Sequence, residues 1–321
     1  MRLMRSRYVM KMRFTFLVST VLAVLFVMGR AWAADSFYVD PNAAPAVWAR
    51  GHADDPRAAQ IAASIARVPT AQWFGNWNHD VRTSVSQFVD AARAAHQVPM
   101  LVAYDIPDRD CGGASAGGAA DATAYRAWID AFSQGIGGGK AIVVVEPDSL
   151  AQLDCYKTVE GQEARLALLR YAVARLRLNA PEADVYLDAG NAHWIAADVM
   201  ANRLQKAGIA EVKGFALNVS NFYTTQESIV YANAVNDVLA KQFGYTKSVV
   251  IDTSRNGNGS NGQWCNPAGA RLGEPTSATS EPVLLAWIKE PGNSDGPCGV
   301  APSVRAGIFS PDLAMRLIEG N

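Results

Sequence analysis

Ala141-Ile142-Val143-Val144-Val145-Glu146-Pro147-Asp148-Ser149-Leu150 opens with five apolar residues and then turns abruptly polar at a proline. An unbroken apolar run of this length, rich in β-branched side chains, predicts a strand covered on both faces, as in a parallel sheet. Six further runs of similar character flank it: Ala71–Phe74, Met100–Tyr104, Asp184–Leu187, Gly214–Leu217, Ser248–Ile251 and Leu284–Ile288. Between them lie amphipathic stretches at helical spacing, including Ala124–Gln134, Gln162–Asn179, Ala196–Ala207 and Glu227–Phe243. Strand and helix alternating in this way predict βα units on a parallel sheet. Seven units in one α/β domain favour a barrel over an open sheet. No internal repeat and no Pro/Thr/Ser linker marks a second module.

Polar and aromatic residues gather just past the C-terminal ends of these runs. Trp73 stands at the first end, and Tyr104, Asp105, Asp108 and Asp110 follow the second. Asp148, Asp188, Asn218 with Asn221, Asp252, and Lys289 with Asp295 continue the series. Any one such Asp or Asn could simply cap a helix. A row of seven ends is the pattern of a β/α barrel, whose active site is built from the βα loops on that face.

The N-terminus reads as a leader. Arg2, Arg5, Arg7, Lys11 and Arg13 precede an apolar run from Phe14 to Met28 and an Ala31-Trp32-Ala33 site. That order is a secretory signal peptide over 1–33, and the apolar core is shorter than the ~20 residues a spanning helix needs. Removing the six basic residues of this segment from the 29 of the full chain leaves 23 against 30 acidic ones, a net charge of −7. A mildly acidic chain without a basic block is no partner for nucleic acid or an anionic membrane. The expected product is a secreted, monomeric catalytic domain over 34–321, extracellular or periplasmic. Four cysteines in an exported chain predict two disulfides, with three pairings open. No C-x-x-C or Cys/His cluster suggests zinc.

The chemistry follows from what is present. There is no phosphate-binding Gly-rich loop and no G-x-S-x-G elbow. The only histidines are His52, His79, His96 and His193, none at H-x-x-x-H spacing. Several carboxylates among tryptophans instead fit glycoside hydrolysis, in which one carboxyl protonates the leaving oxygen and another activates water. No cofactor or metal is called for.

Two longer motifs carry a resemblance. Tyr104-Asp105-Ile106-Pro107-Asp108-Arg109-Asp110-Cys111 is similar to the Y-D-x-P-x-R-D-C signature of glycoside hydrolase family 6, and Val145–Leu150 resembles that family's E-P-D-S-L signature. Leu187–Gly190, Leu217–Phe222, Gln263–Asn266, Trp287–Lys289 and Ser294–Gly296 follow in the family's order. The resemblance implies an incomplete, about seven-stranded TIM-like barrel that hydrolyses β-1,4-glucan with inversion. It implies Asp148 as general acid, Asp110 beside it raising its proton affinity, Asp295 as base and Asp188 as a supporting aspartate. Trp73, Trp194 and Trp264 match sugar-stacking rings. Tyr104, Asn221 and Lys289 match residues around the reacting sugar, and Ser115 the serine that helps place the water. The cysteines match as Cys111–Cys155 and Cys265–Cys298, each bridge contributing at most about 4 kcal/mol on a chain-entropy basis.

Two positions depart from the family. Asn293 replaces an acid that helps hold sugar hydroxyls, and Asn191 stands where some members carry a sugar-contacting His; both bear on subsite preference rather than reaction class. Only 24 residues separate Trp264 from Lys289, and Asp295 follows six later, which leaves little chain to roof a tunnel. An open cleft and endo action are therefore expected. The alternatives are a tunnel-forming cellobiohydrolase and a non-catalytic sugar-binding protein on the same fold; a metal-dependent deacetylase would need a His/Asp ligand cluster that the sequence lacks.

Overall fold

The computed structural model describes residues 37–278 and 283–321. The leader at 1–33 lies outside the described residues. All seven expected runs are strands. β1 (Gln72–Phe74), β2 (Met100–Ala103), β3 (Ala141–Val145), β4 (Ala183–Asp188), β5 (Gly214–Leu217) and β6 (Ser248–Asp252) lie side by side in chain order, each pair parallel. A two-residue strand that the sequence does not announce, β7 (Ser277–Ala278), pairs antiparallel with β8 (Val283–Ala286), which is itself parallel to β6.

Eight helices are described. The four expected from the sequence are α4 (Ala122–Ile136), α5 (Val159–Asn179), α6 (Ala197–Ala207) and α7 (Thr225–Phe243); α1 (Ala44–Gly51), α2 (Ala58–Ser64), α3 (Val81–Ala94) and α8 (Pro311–Glu319) are additional. Side chains start several of them: Asp80 accepts from Thr83 N, Asp121 from Thr123 and Ala124 N, and Thr224 forms a reciprocal capping box with Glu227. Such caps satisfy N–H groups that have no partner within the helix.

The strands alternate in register between two cores. Leu101, Ala103, Val143, Val145, Val185, Leu187, Phe215, Leu217, Val249 and Ile251 pack under the surrounding helices. Met100, Val102, Tyr104, Ile142, Val144, Tyr186, Ala216, Val250, Ala286 and Ile288 fill the opposite face, with Trp73 against them. This period of two explains why the strands read as continuous apolar runs: both faces are covered. The sheet curls without closing as a ladder. Among the described residues β1 and β8 meet through one bridge, Thr70 with Trp287, where Ala71 N donates to Trp287 O at 2.9 Å. The described residues belong to one compact unit, an incomplete β/α barrel.

Candidate active site

The inner-face alternation does not stop where the strands end. Glu146 continues the phase of Ile142 and Val144, Asp188 that of Tyr186, Asn218 that of Ala216 and Asp252 that of Val250. All four are almost fully buried, at 0–2% exposure, so the apolar lumen is topped by a ring of polar side chains. Burial of polar groups requires partners, and here these are the N–H groups of neighbouring βα loops. Glu146 accepts from Asp105 N and Ile106 N at about 3.0 Å. Asp188 Oδ1 accepts from Asp148 N at 2.9 Å and Gly190 N at 3.0 Å. Asp252 accepts from Ser220, Ser254, Ile288 and Lys289 N–H groups at 2.9–3.2 Å. Asn218 donates to Asp252 O at 2.9 Å. Burial raises the Asp252 carboxyl despite its four donors, holds Asp188 well above the carboxylate range, and brings Glu146 up to about 7.

Above this ring the backbone makes sharp corners. Glu146 and Asp148 both have positive φ (50° and 70°), as do Asn218 and Ser220 (65° and 59°) and Asp108, Asp110 and Cys111 (54°, 58° and 49°). Left-handed conformations at non-glycine residues cost free energy and persist where the surroundings impose them. The Asp110 loop shows how they are imposed. Arg109 is buried, donating to Tyr104 O (3.0 Å), Asn76 Oδ1 (3.1 Å) and Ser115 O (2.8 Å). Ser115 N donates to Asp110 Oδ2 at 2.7 Å, and Gln152 Nε2 to Asp110 Oδ1 at 3.2 Å. Gly118 returns the loop at φ +95°, where a Cβ would lie 2.1 Å from Ile106 O. The Cys111–Cys155 disulfide joins this loop to the 3₁₀ turn Ala151–Cys155 that follows Asp148, with Cα atoms 6.3 Å apart.

The structure thus brings Asp110, Asp148, Asp188 and Asp295 into one electrostatic neighbourhood. Burial pushes the Asp148 carboxyl up to about 7; Asp110 and Asp295 add to the rise and Lys289 opposes it. Asp148 remains partly exposed, so it is reachable from the open side. Asp295 is set the other way. Burial would raise it, but Arg255 and Lys289 together outweigh that penalty, and its carboxyl lies below the usual range. Arg255 Nη1 donates to Asp295 Oδ2 at 2.9 Å, Asn266 N to the same oxygen at 3.0 Å, and Lys289 Nζ lies 3.6 Å from Oδ1. Burial lowers the Lys289 amine. Cys265–Cys298, with Cα atoms 6.0 Å apart, holds the loop of Asn266 to the loop of Asp295.

The remaining expected residues divide into a wall and outlying rings. Tyr104 meets Trp73 edge-on at 5.1 Å, Lys289 Nζ lies 5.9 Å from the Trp73 ring, and Trp73 Nε1 donates to Ile288 O at 2.8 Å. Trp194 and Trp264 are 40% and 59% exposed and free to present a face. Asn191 donates to Asn221 Oδ1 at 3.3 Å. Asn293 Nδ2 donates to Glu290 Oε2 at 2.8 Å. Sequence reasoning assigns no role to Arg109, Gln152, Asp252, Arg255 or Asn266. Arg109 and Asn266 lie inside family motifs and Asp252 in the strand-end series; nothing local singles out Gln152 or Arg255. Among the described residues no group of three or more His, Cys, Asp or Glu has the geometry to hold a metal ion.

An open β/α barrel with a raised and a depressed carboxyl among exposed tryptophans on its C-terminal face has the parts of a carboxylate-dependent glycoside hydrolase. Comparison with known proteins makes the class specific. The family model for glycosyl hydrolases family 6 matches residues 32–320, and the chain belongs to that family. It is 48% identical over 287 residues to Endoglucanase 1 of Streptomyces halstedii, covering 89% of each chain. It is 42% identical to Endoglucanase A of Thermobispora bispora, covering 94% of this chain and 66% of that one. In structure it is similar to the endoglucanase Cel6 from Mycobacterium tuberculosis, solved in complex with methyl-cellobiosyl-4-deoxy-4-thio-β-D-cellobioside. That match has a TM-score of 0.82 at 41% identity and covers 88% of this chain and 96% of that one.

Proposed function

We propose that this glycoside hydrolase is a secreted endo-β-1,4-glucanase that cuts internal bonds of cellulose or β-glucan with inversion at the anomeric carbon. The observation that carries the reading is the opposed setting of two carboxyls: Asp148 is pushed up to about 7 while Asp295 is held below the usual range. Titratable groups whose environments push them apart are the mark of an acid and a base. Asp148, protonated, gives its proton to the glycosidic oxygen. Asp295, ionised against Arg255 and Lys289, draws a proton from the water that attacks the opposite face of the sugar. Asp110 keeps the proton on Asp148, and the Ser115 backbone that it anchors borders the water's position. Asp188 fixes the Asp148 backbone. Trp73, Tyr104 and Lys289 form the wall beside the reacting sugar, while Trp194 and Trp264 offer stacking faces to more distant ones.

Endo action is supported by the short loops around Asp295, by half-exposed Trp194 and Trp264, and by the names of the similar bacterial enzymes. Export is supported by the leader and by two disulfides, which persist in oxidising compartments. The test follows viscosity and reducing ends together on carboxymethylcellulose and barley β-glucan. Endo action predicts a steep fall in viscosity at low release of reducing ends; a viscosity that only tracks slow cellobiose release refutes it.

A further inference from the structure

The loop that carries Lys289 and Asp295 is also where the N-terminal helix docks. α1 begins after Ala43, which has no side chain to accept from the free N–H groups of the first turn. Elsewhere Asp80, Asp121, Thr158 and Thr224 fill that role from within their own segments. For α1 the nearest group from across the chain is the Glu290 carboxyl, which lies close enough to the Ala44 backbone N–H for that dipole to lower its pKa. The same carboxyl accepts from Asn293 Nδ2 at 2.8 Å, and Asn293 N donates to Glu290 O at 3.1 Å. Glu290 through Asn293 is therefore a tight turn bonded by side chain and main chain at once. Its Gly292 sits at φ +96°, where a Cβ would meet the Phe309 ring at 2.5 Å. Ser310 N donates to Gly292 O at 2.9 Å, and Phe309 lies 6.2 Å from Trp48 of α1. The turn is thus packed between α1 and the segment entering α8, one residue after Lys289 and two before Asp295.

We infer that Glu290 is a positioning residue for the reaction: lying beside the first turn of α1 and bonded to Asn293, it fixes the turn that sets Lys289 and Asp295. The inference rests on the roles proposed above for those two residues. The charged groups facing Glu290 are Lys289 on its own loop and Asp40 ahead of α1. Burial raises the Glu290 carboxyl to about 7; the Asn293 hydrogen bond, the nearby Ala44 N–H and Lys289 act against the rise, and Asp40 adds to it. The sign follows from linkage. A carboxyl raised from 4.5 to about 7 on folding stabilises the fold fully below the lower value, and that contribution is lost as pH rises through the upper one. The ionised carboxyl, buried and facing Asp40, is the less stable form in this place, so its ionisation loosens the turn and with it the Asp295 loop.

A helix cap with no part in positioning would change stability alone, so the test reads turnover. Kinetics on cellohexaose and melting temperature are measured from roughly pH 4.5 to 8.5 for the wild type, Glu290→Gln, Glu290→Ala and Asp148→Ala. Glu290→Ala is expected to lower kcat on the order of tenfold with KM nearly unchanged, as misplaced catalytic groups do. Glu290→Gln keeps an acceptor oxygen and should restore most of kcat near pH 5.5. Its basic limb should fall with the slope of one ionisation, where the wild type, losing protons from Asp148 and Glu290 together, falls more steeply. A Glu290→Ala enzyme with wild-type kcat, or a Glu290→Gln profile that superimposes on the wild type, overturns the inference. If the alanine variant does not fold, the glutamine profile decides alone. Wild-type enzyme that leaves cellohexaose intact refutes the hydrolase reading instead, whereas active wild type and inactive Asp148→Ala beside an unaffected Glu290→Ala refute only the role of Glu290.

Discussion

Replacing Asp110 by Asn removes one negative charge from beside the proposed acid while keeping the side chain's size. Asp110 is the largest charge acting on Asp148, second only to burial among the causes that raise it from 3.8 to about 7. Charge pairs of this kind move a partner's pKa by about 1–3 units. Because one unit corresponds to about 1.4 kcal/mol, losing even the smaller value makes Asp148 tenfold easier to ionise. The sign is fixed. Asp148 acts protonated, so the basic limb of the kcat profile moves to lower pH, by about one unit. Stability changes in the same sense. Folding raises the Asp148 pKa, so its contribution is complete below 3.8 and is lost as pH rises through about 7. The Asn variant should lose less stability across that window than the wild type. The maximal rate should also fall, because the amide must replace the carboxylate that accepts from Ser115 N at 2.7 Å and Gln152 Nε2 at 3.2 Å. The assay is kcat against pH on a soluble glucan, with urea unfolding at the same pH values. A basic limb that stays in place with near-normal turnover would refute this reasoning and leave Asp110 as a loop anchor.

Two further outcomes follow from the same site. Asp148→Ala should slow hydrolysis of unactivated glucan by roughly 10²–10⁴, but should slow a cellobiosyl fluoride, whose leaving group needs no proton, far less; equal losses on the two substrates would mean that Asp148 is not the acid. Asp252→Ala strips four backbone N–H groups of their acceptor and should cost about 3–5 kcal/mol in urea unfolding, with active-site loops loosened together; a change below about 1 kcal/mol would show that those donors have other partners.

The fold is legible because both faces of the sheet are covered. Every strand but β7 reads as an apolar run, and β1 to β6 fall within a residue or two of their expected ends. What escapes is short or locally ambiguous. α3 has Val81, Val85, Val89 and Ala92 at helical spacing behind a capping Asp80, a pattern that is present in the sequence and that the strand–helix alternation above passes over. β7 is two residues long and exists only because β8 offers it an edge. The acids of the site are legible from their place after the strands, since the βα loops of a barrel converge on one face. Their protonation is not, because it depends on residues distant in the chain: Arg255 and Asn266 reach Asp295 across 40 and 29 positions, and Gln152 reaches Asp110 across 42. Nor can local sequence announce left-handed backbone at Glu146 or Cys111, which neither residue type favours. Asn293 reads as an altered sugar contact; in three dimensions its Nδ2 also donates to Glu290, a partner that local sequence does not announce.

Catalysis as proposed depends on a protonated Asp148 and an ionised Asp295 working on opposite faces of the scissile bond with water between. The most direct test is proton NMR of the first products that wild-type enzyme releases from a β-linked cello-oligosaccharide, recorded before mutarotation. Direct displacement by water predicts that the α-anomer appears first at the new reducing end. Early β-anomer would mean retention through a covalent intermediate, and would contradict inversion and the base role of Asp295.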